Sequence, residues 1–130
     1  MDLDSILGYV ENKVIMVTGG GGSIGSELCR QIASHHPKQL VLVDIYENTT
    51  YDIQNELRRN YPELNLVVLI ASVRNTKRMD MIFEKYRPDI VYHAASVQQI
   101  CIFLFVSLTC YYVNMVLTES SIISTRRSTR

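Results

Sequence analysis

At 130 residues, 47% hydrophobic and 20% charged, the chain has the size and composition of one globular domain with its own core. Its 13 basic and 13 acidic residues cancel to a formal net charge of zero, so the one-sided basic excess of a nucleic-acid binder is missing and no nucleic-acid partner is expected. Cys29, Cys101 and Cys110 share no CxxC spacing and have no histidine nearby, so they read as small core residues in a reducing compartment; no metal site is expected.

Residues 1–12 form an acidic lead segment without a long apolar run, so no secretory signal is expected and the cytoplasm is the expected location. Lys13 to Thr18 (KVIMVT) is a β-branched apolar run that ends in glycines and predicts a buried strand. Ile24, Leu28, Ile32 and Ala33 recur at helical spacing, with Pro37 beyond them as a stop. Gln39 to Asp44 (QLVLVD) predicts a second strand. From Glu47 to Tyr61 the stripe Ile53, Leu57, Tyr61 predicts a second helix, with Pro62 after it. Leu64 to Ile70 predicts a third strand. Asn75 or Thr76 can cap a third helix bearing Met79, Ile82, Phe83 and Tyr86, and after Pro88 a fourth strand spans Asp89 to His93. Strands alternating with helices through short loops predict an α/β fold of Rossmann type. Its parallel sheet of about four strands is buried on both faces by helices.

Thr18-Gly19-Gly20-Gly21-Gly22-Ser23-Ile24-Gly25 lies between the first strand and the first helix, and Gly19, Gly22 and Gly25 make a GxxGxxG frame. Such a frame serves a tight turn, close approach of a diphosphate to the backbone, and helix-on-strand packing, while the helix aims its free N–H groups at the phosphates. Asp44, at the end of the second strand, stands where a carboxylate can accept the adenosine-ribose hydroxyls and repel a 2′-phosphate. NAD is therefore expected as the cofactor, with NADP as the alternative. The absence of GK[ST] argues against a nucleoside-triphosphate loop.

Two segments have the spacing of a Tyr-x-x-x-Lys or Met-x-x-x-Lys acid–base pair. Tyr9 to Lys13 precedes the first strand. Met81 to Lys85 lies on the third helix, where Ile82 and Phe83 are needed for packing. Both read as core and surface, so no catalytic residue is assigned. His93, at the end of a buried strand, reads as a hydrogen-bonded structural group. His35 and His36 read as complements to a helix C-terminus.

The strings NKVIMVTGGGGSIGSELCRQIA, KQLVLVDIYEN and FEKYRPDIVYHAA resemble the bacterial polysaccharide-biosynthesis (CapD-type) family of nucleotide-sugar 4,6-dehydratases and epimerases, in the extended short-chain dehydrogenase superfamily. The resemblance covers Asp2 to Ala95. It implies a UDP-N-acetylhexosamine substrate, oxidised at C4 by bound NAD(P) before water is lost across C5–C6, with products that feed capsule, O-antigen or protein glycosylation. By position, it implies that Gly19, Gly22, Ser23, Ile24 and Gly25 cradle the pyrophosphate and Asp44 the adenosine ribose. Glu47 and Asn48 fall on the adenine side. Ser72 and Val73 stand where many relatives have Asp-Val beside the adenine ring, and Ala94 and Ala95 match small residues beside the nicotinamide ribose.

After Ser96 the resemblance ends, and the family's acid–base segment and sugar-nucleotide domain have no counterpart. Residues 13–96 therefore read as the NAD(P)-binding half, and residues 97–130 as an atypical apolar tail with a basic end. A frameshifted or truncated product, inactive alone and prone to self-association, is the simplest expectation; a sugar nucleotide is a partner only of a full-length relative. A free-standing dinucleotide-binding module is one alternative. The uncharged run Ile100 to Leu117 allows another, a membrane anchor, but Ser107, Thr109 and Asn114 interrupt it, and a helix or strand covering the sheet is preferred.

Overall fold

The computed structural model describes residues 8–94 together with the backbone of Tyr112–Thr118 and Ser121–Ser128. Four parallel strands and three helices alternate: β1 (Val14–Thr18), α1 (Ser23–Ala33), β2 (Gln39–Asp44), α2 (Glu47–Asn60), β3 (Leu66–Ile70), α3 (Thr76–Tyr86) and β4 (Ile90–His93). Two further strands follow, β5 (Tyr112–Thr118) and β6 (Ser121–Ser128). The sheet order is β3-β2-β1-β4-β5-β6; β5 pairs parallel with β4, and β6 runs antiparallel to β5. The expected Rossmann-type α/β fold is therefore present.

Alternation along the buried strands divides the core into two halves. Ile15, Val17, Leu40, Leu42, Ile90 and Tyr92 face α1 and α2, where Leu28, Ile32, Ile53 and Leu57 complete one cluster. Met16, Val41, Val43 and Val91 face the opposite side and pack on Met79, Ile82 and Phe83 of α3. The helices bury Leu28, Ile32 and Ala33, Ile53 and Leu57, and Met79, Ile82 and Phe83 of the stripes that the spacing predicts, while Ile24, Tyr61 and Tyr86 are half-buried; burial on both faces explains the apolar runs inside β1, β2 and β4. β3 departs from this pattern. It lies at a sheet edge, and all five of its residues are only half-buried.

The helix ends refine the sequence reading. α1 stops at Ala33, before Pro37, and His36 takes a left-handed conformation with φ 55°. The His35 Nδ1 lies 2.8 Å from the Gln31 carbonyl, consistent with the expected role at a helix end. Tyr61 is the residue after α2, not its last turn. Asn75, rather than Thr76, caps α3: its side chain accepts from the Arg78 N–H at 3.1 Å. The third strand begins at Leu66, two residues later than expected, and Asp89 precedes β4.

Within the uncharged run, Tyr112 to Leu117 is strand, so an anchor helix through Leu117 is not formed; Ile100 to Tyr111 lie outside the described residues. No helix among the described residues is long and apolar enough to cross a membrane. β4 is not an open edge: Val91, Tyr92 and His93 pair with Asn114, Met115 and Val116. The tail strands extend the sheet edge instead of covering a face.

Candidate cofactor site

Strand order reverses at β1: β2 and β3 lie to one side and β4 to the other, which opens a crevice at the carboxyl ends of the strands. The glycine loop leaves β1 at this point. Gly19 has φ 75°, a conformation that costs a residue with a Cβ, and its N–H is held by the Val43 carbonyl at 2.8 Å. At Gly25, inside the first turn of α1, a Cβ would lie 2.0 Å from the Gly19 carbonyl oxygen, so helix and loop approach to a distance that only glycine permits.

Gly22 differs from both. It is the N-cap of α1, extended at φ −75° and ψ 173°, and a Cβ there would meet only the Gly19 oxygen at 3.6 Å. It has no side chain with which to cap the helix, and the first turn of α1 carries no acidic residue. The first N–H groups of α1, with the positive end of its dipole, are therefore available to an anion.

A cleft of about 780 Å³ opens in front of this loop. Of the residues singled out from sequence, Gly19, Gly22, Asp44, Glu47, Asn48, Ser72, Val73 and Ala94 line it. Ser23, Ile24 and Gly25 stand behind, as the first turn of α1, and Ala95 lies outside the described residues. Sequence reasoning passed over Gly21, Val43, Ile45, Tyr46, Thr49 and Ala71, which also line the cleft. The signal for Ile45 and Tyr46 was their place directly after Asp44, before the apolar stripe of α2 begins.

Asp44 is nearly buried, at 8% exposure, and its carboxylate is already engaged. Oδ2 accepts from the Gly21 N–H at 2.8 Å; Oδ1 accepts from Ile45 N–H at 2.7 Å and Tyr46 N–H at 3.2 Å. A carboxylate offers about four lone-pair positions, so roughly one is left for a ribose hydroxyl, fewer than the spacing alone suggested. Ser72 Oγ accepts from the Arg74 N–H at 3.1 Å, and Val73 belongs mostly to the core beneath the cleft. The charged residues lining the cleft are Asp44 and Glu47, both acidic.

His93 and Thr18 end β4 and β1 and are not part of the cleft lining. His93 is fully buried at the end of β4, and its Nδ1 is hydrogen-bonded to Thr18 Oγ1 at the end of β1, the structural role that its position predicts. Tyr9 and Met81, at 70% and 61% exposure, are surface residues; neither they nor Lys13 and Lys85 line the cleft. Among the described residues no group of three or more His, Cys, Asp or Glu is placed to hold a metal.

The sequence profile of a family described as "Polysaccharide biosynthesis protein" matches residues 15–129. The chain belongs to this family. The match runs past Ser96, where the resemblance read from the sequence ended, and takes in both tail strands. The capsular polysaccharide biosynthesis protein CapD of Staphylococcus aureus is 40% identical over 97 residues, 74% of this chain. The probable polysaccharide biosynthesis protein EpsC of Bacillus subtilis is 38% identical over the same length. The chain spans only 16% of either relative. Among solved structures, a UDP-glucose-4-epimerase from Stenotrophomonas maltophila, with bound NAD and formylated UDP-arabinopyranose, superposes with a TM-score of 0.58 at 27% identity. That superposition covers 65% of this chain and 25% of the epimerase.

Proposed function

We propose that the chain is the NAD-binding N-terminal part of a UDP-N-acetylhexosamine 4,6-dehydratase or epimerase of polysaccharide biosynthesis, inactive by itself. The observation that carries this reading is the uncapped N-terminus of α1, opening through a glycine loop into the cleft where strand order reverses. Gly19, Gly22, Ser23, Ile24 and Gly25 hold the diphosphate. Asp44 takes one ribose hydroxyl, Glu47, Asn48, Ser72 and Val73 border the adenine, and Ala94 and Ala95 border the nicotinamide ribose. Bound NAD supplies a hydride acceptor for a sugar carbon. Residues 13–96 are the cofactor-binding half, preceded by the lead at 1–12 and followed by the segment 97–130.

NAD is preferred over NADP because the charges lining the cleft are acidic and repel a 2′-phosphate. The reading includes a cytoplasmic setting, which the free, buried Cys29 suits, and self-association through the half-buried edge strand β3. Inactivity alone is supported by the cleft lining, which among the described residues brings together no tyrosine–lysine pair. Isothermal titration tests the reading: NAD should bind saturably and NADP more weakly, with no turnover of UDP-N-acetylglucosamine. A chain that binds neither cofactor, or binds NADP more tightly, refutes it.

A further inference from the structure

We propose that Asp44 is a positioning residue for the diphosphate half of the site, because its carboxylate clamps the glycine loop to the turn between β2 and α2. The inference rests on the dinucleotide reading above. The two carboxylate oxygens work in different directions: Oδ2 reaches the Gly21 N–H, 23 residues away in sequence, while Oδ1 takes the N–H groups of Ile45 and Tyr46. The backbone of Asp44 is anchored on the β3 side, since its carbonyl accepts from the Ala71 N–H at 3.0 Å and Asp44 pairs with Ile70. The carboxylate thus ties the middle of the loop, between the backbone bonds of Gly19 and Gly22, to the end of the interior strand β2.

The opposite face of the clamp is steric. A Cβ on Gly21 would lie 2.7 Å from Thr50 Oγ1, 2.8 Å from Thr49 Oγ1 and 3.0 Å from Asp44 Oδ2, so the loop is pressed flat against the start of α2. Thr50 is buried, and its hydroxyl donates to the Tyr46 carbonyl at 2.6 Å, so it cannot swing away at no cost. Only a carboxylate serves this geometry. Asparagine has one acceptor oxygen, and its NH2 would face an N–H on whichever side the oxygen does not. The single oxygen keeps two bonds at the β2–α2 turn but only one at the loop, so Asp44→Asn turns its NH2 toward Gly21 and releases the loop.

It follows that Asp44 governs binding of ligands that carry no ribose hydroxyl at all. The experiment compares ADP with 2′,3′-dideoxyadenosine 5′-diphosphate on the unmutated chain, Asp44→Asn, Gly21→Ala and the double variant, with circular dichroism to verify folding. Asp44→Asn should weaken both nucleotides roughly fivefold or more, the loss of one charge-assisted hydrogen bond. Gly21→Ala should do the same by wedging the loop off the threonines, and the double variant should be little worse than either. If Asp44→Asn weakens ADP but leaves the dideoxy nucleotide unchanged, the carboxylate acts through the ribose alone and the clamp is refuted. The Gly21 amide proton gives a readout that needs no ligand: Asp44→Asn should move its resonance upfield and speed its exchange, with the β1 amides unchanged. An unaltered Gly21 amide would also overturn the clamp, whereas failure of the unmutated chain to bind either nucleotide would count against the dinucleotide reading.

Discussion

Two glycines of the loop should respond to substitution in opposite ways. A Cβ at Gly22 meets nothing closer than 3.6 Å, and its backbone angles are ones that a β-branched residue adopts readily. Gly22→Val should therefore leave the fold intact with little change in stability, because the less flexible unfolded chain is offset by valine's poorer fit as an N-cap. The valine projects into the mouth of the cleft, so NAD binding should be lost. At Gly25 the added Cβ meets backbone on every side, 2.0 Å from the Gly19 oxygen and 2.8 Å from both Gly19 C and Gly20 Cα. Overpacking of this severity costs about 3 kcal/mol, against which alanine's better helix propensity returns about 1. A net loss of about 2 kcal/mol lowers Tm by roughly 8 °C in a domain of this size. Differential scanning fluorimetry and titration calorimetry on the two variants separate the effects. A large fall in Tm for Gly22→Val, or none for Gly25→Ala, would refute the division of labour along the loop.

Asn75→Ala should cost about 1 kcal/mol by removing the acceptor for the Arg78 N–H, and Asn75→Asp should restore it, measured by urea midpoints. Burial pushes the Tyr92 hydroxyl up to about 12 from 10.0. The unfolded chain then loses that proton first, so stability is full below pH 10 and falls by roughly 2–3 kcal/mol as pH rises toward 12. Tyr92→Phe should remove that part of the alkaline loss in urea melts at successive pH values; an unchanged profile would exclude Tyr92 as its source. The hydrogen bond from Arg30 holds the Glu56 carboxyl below the usual glutamate range and joins α1 to α2 at 2.6 Å. Because the folded value is the lower one, the stability it adds is present above the unfolded pKa and lost as pH falls through the folded value. The gap in Tm between the unmutated chain and Glu56→Gln should be largest near neutrality, close in acid and shrink with salt.

Much of this architecture is written locally. The runs VIMV, LVLV and IVY are apolar without a break because both faces of β1, β2 and β4 are covered, and the stripe Met79, Ile82, Phe83 names the buried side of α3. The glycine frame is legible for the same reason: each glycine answers a requirement within a few residues. What depends on distant parts meeting is not. Leu66 to Ile70 looks as apolar as its neighbours, and nothing in its own residues records that it lies at an edge. The spacing of Asp44 marked it as a ligand for ribose, but its grip on Gly21 exists only once the loop folds back on the second strand. Thr49 and Thr50 were invisible on the same ground. In the tail, the lack of charge pointed to burial but gave no register, and pairing of Val91 with Asn114 is a tertiary choice.

The central position of β1 also bears on how the molecule assembles. Its first neighbour, β2, follows directly, but its second, β4, is joined to it where Val14 donates to the Asp89 carboxylate at 2.9 Å across 75 positions of sequence. The Asp89 N–H returns a bond to the Val14 carbonyl at 2.8 Å, so this junction is fastened twice. A chain emerging from the ribosome N-terminus first can pair β1, β2 and β3 while the β4 flank of β1 is still bare. Loop closure over so long a stretch is slow, and the bare flank is a template for pairing with a neighbouring chain. Misassembly through that flank is therefore expected to be confined to the interval before Asp89 arrives beside Val14.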